Sequence, residues 1–181
     1  MIEWIYQTDR AVMEWVQSSL SSAWLDHIMI FITKLGDAGF IWILGGIILL
    51  CFKKTRRCGV VLLAAVALNF LIGDLIVKPL VSRARPFIDD PAFELLISPP
   101  HGYSFPSGHS GSSFAAAVVL TAFYRKRGAF AFLLAGGIAF SRMYLYVHYP
   151  TDVLTGCCLG VCVGLLTVWV YRRWEQSRRK E

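Results

Sequence analysis

The chain has 181 residues, of which 56% are hydrophobic and only 17% charged, and its net charge is +6. One domain fits that length, but the apolar excess excludes an ordinary soluble domain, which would lack the polar surface to cover five nearly all-apolar segments. Nucleic acid is excluded as a partner too: the basic residues cluster at the ends of apolar runs, in Lys53–Arg57, Arg125–Arg127 and Arg172–Lys180, without the interleaved aromatics of a strand binder.

Residues 1–20 place Ile2, Ile5, Tyr6, Met13, Val16 and Leu20 at helical spacing, with Glu3, Gln7, Arg10, Glu14 and Gln17 elsewhere on the wheel. Glu3 and the lack of a long apolar core argue against a signal peptide. Trp4 and Trp15 add amphipathic anchors, so this segment is expected to be a helix lying in the membrane interface. Apolar runs follow at Phe40–Phe52, Gly59–Val77, Ser113–Phe123, Ala129–Phe140 and Val153–Val170, several of which approach the roughly 20 residues that cross a bilayer. Leu20–Leu35 is harder to place, because Asp26, His27 and Lys34 shorten its dry stretch.

Short basic loops stay on the cytoplasmic side of a membrane. Three cytoplasmic basic clusters and a cytoplasmic N-terminus then require Leu20–Leu35 to span. The expected fold is all-α: a polytopic membrane helical bundle of about six transmembrane helices plus the N-terminal amphipathic interfacial helix. It forms a single domain over 1–181, with a motif-bearing core at 59–171. Cys51, Cys58, Cys157, Cys158 and Cys162 all lie in or beside apolar runs, which argues against a disulfide framework; with no His or carboxylate interleaved, they read as packing residues and not as metal ligands.

This topology puts the Pro-rich connection Lys78–Phe105 and the short one around Tyr146–Thr151 on the outer face, and three polar groups converge there. The first is KPLVSRARP, with Lys78 and Arg85 flanking Arg83. It could anchor a helix end by snorkelling, but cations kept against the positive-inside bias suggest that they neutralise a phosphate. Asp74, one turn before Lys78, reads either as a partner that steers this lysine or as a polar residue at the membrane edge.

The second group is Pro106–His109. Ser107 or Ser110 can cap the following helix, and the same N-terminus can hold an anion, with Gly108 and Gly111 allowing close approach. His109 there could protonate a leaving oxygen. The third group comprises Ser141, Arg142, His148 and Asp152. A carboxylate on one imidazole nitrogen of His148 fixes the tautomer and leaves the other to attack, and Arg142 can bind phosphate oxygens bidentately. Phosphoryl transfer is the reaction this set suits. No metal or other cofactor is expected, because the cations can carry the transition-state charge.

In order and spacing these groups resemble the type-2 phosphatidic acid phosphatase superfamily of membrane lipid phosphatases. That family's pattern appears here as Lys78 to Arg85-Pro86, then Pro106–His109, then Ser141-Arg142 to His148 to Asp152. The resemblance implies that His148 is the nucleophile, forming a phosphohistidine, with Asp152 orienting it. It implies that His109 is the leaving-group acid and later the base that activates water. It further implies that Lys78, Arg85 and Arg142 bind the phosphate, helped by Ser107 and the Gly108 backbone.

The apolar runs argue against the soluble members of that superfamily. The expected partners are a lipid phosphate and the bilayer, and the expected location is a bacterial cytoplasmic membrane with the site outside and the C-terminus inside. Undecaprenyl pyrophosphate is the first substrate expected, with phosphatidylglycerol phosphate or phosphatidate as the alternative. A catalytically silent protein that binds or moves lipid phosphates is the alternative of a different class.

Overall fold

A computed structural model describes residues 3–179, so Ile2 and Lys180 of the stretches above lie outside the described residues. Among the described residues every regular element is helical. Helix α1 (Glu3–Leu20) leads into α2 (Ala23–Gly36), which a 3-10 turn, Asp37–Gly39, separates from α3 (Phe40–Cys51). Helix α4 (Arg56–Phe70) widens into a π-helical stretch, Leu71–Val77, and then come two single-turn helices, α5 (Lys78–Val81) and α6 (Pro86–Asp89). The chain closes with α7 (Gly108–Tyr124), the short α8 (Lys126–Ala129), α9 (Ala131–Tyr144) and the long α10 (Pro150–Arg178).

Helix α7 is the centre of the bundle and packs against α4, α9 and α10. Its composition explains why: Ser110, Gly111, Ser113, Ala115, Ala116 and Ala117 are all buried, and small side chains let neighbouring backbones approach closely. The approach of α10 is closest at Gly160, where a Cβ would sit 2.2 Å from the Gly111 carbonyl oxygen, and nearly as close at Gly156, 2.5 Å from the Ser107 carbonyl oxygen. A larger residue there would push α10 off the start of α7, where the polar groups gather.

Among the described residues, three helical stretches are long and apolar enough to cross a membrane: Ala23–Cys51, Arg56–Asp89 and Pro150–Arg178. The first is broken at Ala38, whose φ is 50°, followed by Gly39 at 73°. A left-handed alanine costs about 1–2 kcal/mol, so the surrounding packing holds this joint. Helices α7 and α9, with 17 and 14 residues, rise about 25 and 21 Å. The two ends of the bundle differ in chemistry. Lys54, Arg57 and Arg172 meet at one end, where Arg57 pairs with Glu175 at 2.5 Å. The motif residues gather at the other.

Helix α1 is amphipathic twice over. Asp9, Met13 and Val16 are buried against the protein, and Val16 shares a small core with Met29, Tyr144, Leu145 and Val147. Trp4 and Trp15 point outward, 63% and 58% exposed.

Candidate active site

A cavity of about 700 Å³ opens at the motif end. Lys78, Arg85, Gly108, His109, Arg142 and His148 line its polar end, and Ile43, Leu63, Val66, Ala67 and Phe70 form an apolar wall from α3 and α4. Asp152 and Ser107, both almost fully buried, lie outside that lining.

His148 sits in the turn between α9 and α10. Its backbone N–H and that of Val147 both donate to the Arg142 carbonyl, each at 3.2 Å, which folds the turn back on the end of α9. Asp152 anchors the other side, accepting from the Tyr149 N–H at 2.8 Å where α10 begins. The imidazole is thereby oriented with Nε2 toward the cavity and Nδ1 toward the interior. Asp152 lies 3.6 Å from Nδ1, too far for a direct hydrogen bond. Ser104 bridges the gap: its hydroxyl donates to Asp152 Oδ2 at 2.5 Å and lies 3.4 Å from Nδ1. A proton on Nδ1 then donates to Ser104 Oγ and leaves the Nε2 lone pair facing the cavity. Burial, and then the charges of Arg142, Arg85, Lys78 and His109, hold the His148 pKa well below the ordinary imidazole range.

The cations are held in different ways. Arg85 donates from Nε to the Gly102 carbonyl at 2.9 Å, from Nη2 to that of His101 at 3.2 Å, and from Nη1 to that of Val147 at 2.9 Å. Nη1 also reaches His148 Nε2 at 3.2 Å. Arg142 is 3% exposed and donates from Nη1 to Thr33 Oγ1 at 2.5 Å, while its buried Nε has no hydrogen-bond partner among the described residues. Leaving a buried charged donor unpaired is costly, and Arg142 is also one of the residues that line the cavity. Lys78 pairs with Asp74 Oδ1, which is the steering contact of the two readings above. Wide π turns recur at functional sites, and this one carries Asp74 and delivers Lys78 at its end.

At the start of α7 a Cβ on Gly108 would lie 2.9 Å from both Asp74 carboxylate oxygens, so glycine here leaves room for the Asp74 side chain against the start of the helix. Ser107 serves the helix cap: its hydroxyl accepts from the Ser110 N–H at 3.4 Å and from the Ser110 hydroxyl at 2.9 Å. His109 lines the cavity and its Nε2 contacts Asp37 Oδ1 at 2.9 Å.

Several residues of this site are not part of the sequence expectations. Ser104, Thr33 and Asp37 carry no motif signal. Arg83 does lie inside the first motif, yet its partners are invisible there. It donates to Asp9 Oδ2 at 2.6 Å and to Asp152 Oδ1 at 2.7 Å, and its guanidinium stacks 4.0 Å from the Tyr149 ring centroid. Asp9, 1% exposed, also accepts from the Thr151 N–H at 3.0 Å and the Thr151 hydroxyl at 2.5 Å. An acid on the apolar stripe of α1, one turn before Met13, was the available signal.

The family model of the PAP2 superfamily matches residues 58–176. The chain belongs to the PAP2 superfamily. It is 33% identical to an undecaprenyl-diphosphatase of Sulfolobus acidocaldarius over 82% of this chain and 71% of that one. Among solved structures, a transmembrane PAP2 phosphatidylglycerolphosphate phosphatase of Bacillus subtilis superposes with a TM-score of 0.80. It is 26% identical and covers 96% of this chain and 89% of its own. LpxE of Aquifex aeolicus gives 0.77 at 28% identity, covering 87% and 93%. The protein is thus a PAP2 lipid phosphatase, all-helical like its structural neighbours. The matched region holds all three motifs, while Asp9 and Asp37 lie before it.

Proposed function

We propose that this PAP2 phosphatase releases phosphate from undecaprenyl diphosphate through a phosphohistidine on His148. The observation that carries the reading is the His148 Nε2 facing a cavity ringed by Lys78, Arg85 and Arg142. Nε2 attacks the terminal phosphorus and the bond to the bridging oxygen breaks. His109 gives its proton to that oxygen as the lipid monophosphate leaves. His109 then takes a proton from water, which attacks phosphorus and breaks the N–P bond. Throughout, Nδ1–H stays on Ser104, which donates to Asp152, so the imidazolium that forms is stabilised in place. Lys78, Arg85 and Arg142 balance the charge on the phosphoryl oxygens, Gly108 offers backbone, and Ser107 keeps the α7 N-terminus formed.

The apolar wall beside the cations suits a lipid tail, and the 33% identity to an undecaprenyl-diphosphatase favours the diphosphate. The structural likeness to a phosphatidylglycerolphosphate phosphatase favours the second reading, a glycerolipid monophosphate. The segregation of Lys54, Arg57 and Arg172 to the far end supports a cytoplasmic C-terminus and an outward-facing site in a bacterial cytoplasmic membrane. The outward Trp4 and Trp15 of α1 suit a helix bedded in the interface, and the bundle suits about six crossings.

The test is phosphate release by the purified protein, with chelator present, from a polyprenyl diphosphate and from phosphatidylglycerol phosphate. The expected result is faster release from the diphosphate, unaffected by chelator. A preference for the glycerolipid would transfer the assignment to the second reading, and loss of activity on chelation would overturn the metal-free mechanism. Binding without release would indicate the catalytically silent alternative.

Arg85→Lys is expected to lower kcat/KM by about 10- to 100-fold. Four of the five donors of Arg85 are engaged by three carbonyls and His148, and a lysine ammonium with three donors cannot reproduce that fork. Steady-state kinetics of the variant check this, and unchanged kinetics would remove Arg85 from phosphate binding.

A further inference from the structure

The α2–α3 joint sets a carboxylate against His109 from outside the region that the family motifs cover. Asp37 follows the last residue of α2 and its N–H donates to the Lys34 carbonyl. The left-handed Ala38 and Gly39 turn the chain away immediately afterwards. The room for this contact is made by Gly36, where a Cβ would lie 2.8 Å from His109 Cδ2 and 2.7 Å from Ile138 Cγ2. The imidazole of His109 therefore rests on the Gly36 backbone with Nε2 2.9 Å from Asp37 Oδ1. The Asp37 side chain is 62% exposed, so the fold has little need of it.

We propose that Asp37 is the positioning residue for His109. It holds a proton on Nε2 and so commits Nδ1 to the proton transfers of the reaction. The inference rests on the role for His109 given above. When the bridging bond breaks, Nδ1–H passes its proton to the leaving oxygen and His109 becomes neutral, with Nε2–H still donated to Asp37. Only Nδ1 then carries a lone pair, and it takes the proton of the attacking water. Without Asp37 the neutral ring divides between two tautomers and its imidazolium loses a compensating charge. Asp152 serves His148 in the parallel role through Ser104, so the two histidines each have a carboxylate behind the working nitrogen.

The experiment is a double-mutant cycle in the full-length protein, with phosphate release from farnesyl diphosphate as the assay. Asp37→Ala is expected to lower kcat by about 10- to 100-fold with KM within about twofold, as loss of an orienting partner does. Asp37→Glu is expected to recover most of that loss, and thermal unfolding of both variants should match the wild type. In a His109→Ala background, Asp37→Ala should cost nothing further. An equal loss in both backgrounds would mean that Asp37 acts on the fold and not through His109, and would overturn the inference. Unchanged kcat in Asp37→Ala would overturn it as well. A wild-type protein that releases no phosphate from farnesyl diphosphate would instead overturn the diphosphatase reading beneath it.

Discussion

His148→Ala is expected to abolish turnover, with kcat falling by about 10,000-fold or more, the scale seen when a covalent nucleophile is removed. The expectation follows from geometry. Nε2 of His148 faces the cavity, and Arg85 and the Ser104–Asp152 pair fix the ring from both sides. Residual release would come from the cations and His109 acting on water. The pH dependence carries a second signature. Burial and the surrounding cations hold the His148 pKa well below the usual imidazole value, so as pH falls through about 6.5 the proposed nucleophile is expected to stay unprotonated. The acid limb of kcat/KM is therefore expected below that value, and a limb centred on it would contradict a neutral, buried His148. Purified variant and wild type compared for phosphate release across pH give both results.

Asp9→Ala is the second large effect, and it falls on stability. Arg83 is 7% exposed and bridges two buried carboxylates, Asp9 and Asp152. Removing one partner of a buried ion pair costs about 3–5 kcal/mol, because the remaining charge is left uncompensated. Thr151 would also lose the acceptor for both its N–H and its hydroxyl. Thermal unfolding in detergent should show the midpoint falling by roughly 10 °C. Activity should fall with it, since Arg83 also braces Asp152. Asp9→Asn, which can still accept from Thr151, should lose less. An Asp9→Ala protein as stable as wild type would mean that α1 is not anchored through this pair.

The motif residues were legible because their chemistry demands fixed types at fixed spacing, and helix ends such as Gly108 and Tyr124 follow from a Gly-Ser entry and a basic exit. Lys78, Arg85, His109, Arg142 and His148 accordingly meet in one cavity. What the sequence hid was the layer behind them. Ser104 stands between His148 and Asp152 because the loop from α6 to α7 folds inward, a long-range event with no local signal. Asp37 reaches His109 across 72 positions and Asp9 reaches Arg83 across 74. Spacing rules cannot see such pairs, although an acid on an apolar helix face should have raised the question for Asp9. The apolar stripe of α1 also has a different use from the one expected. Met13 and Val16 pack on the protein, while Trp4 and Trp15 stand exposed.

The central claim is a phosphoryl group on His148, and trapping it is the most direct test. Protein mixed with farnesyl diphosphate labelled in the terminal phosphate and denatured rapidly in alkali should retain label. That label should survive alkali, leave in mild acid, and be missing from His148→Ala. Label retained by His148→Ala, or none in wild-type protein that is visibly turning over, would contradict the mechanism.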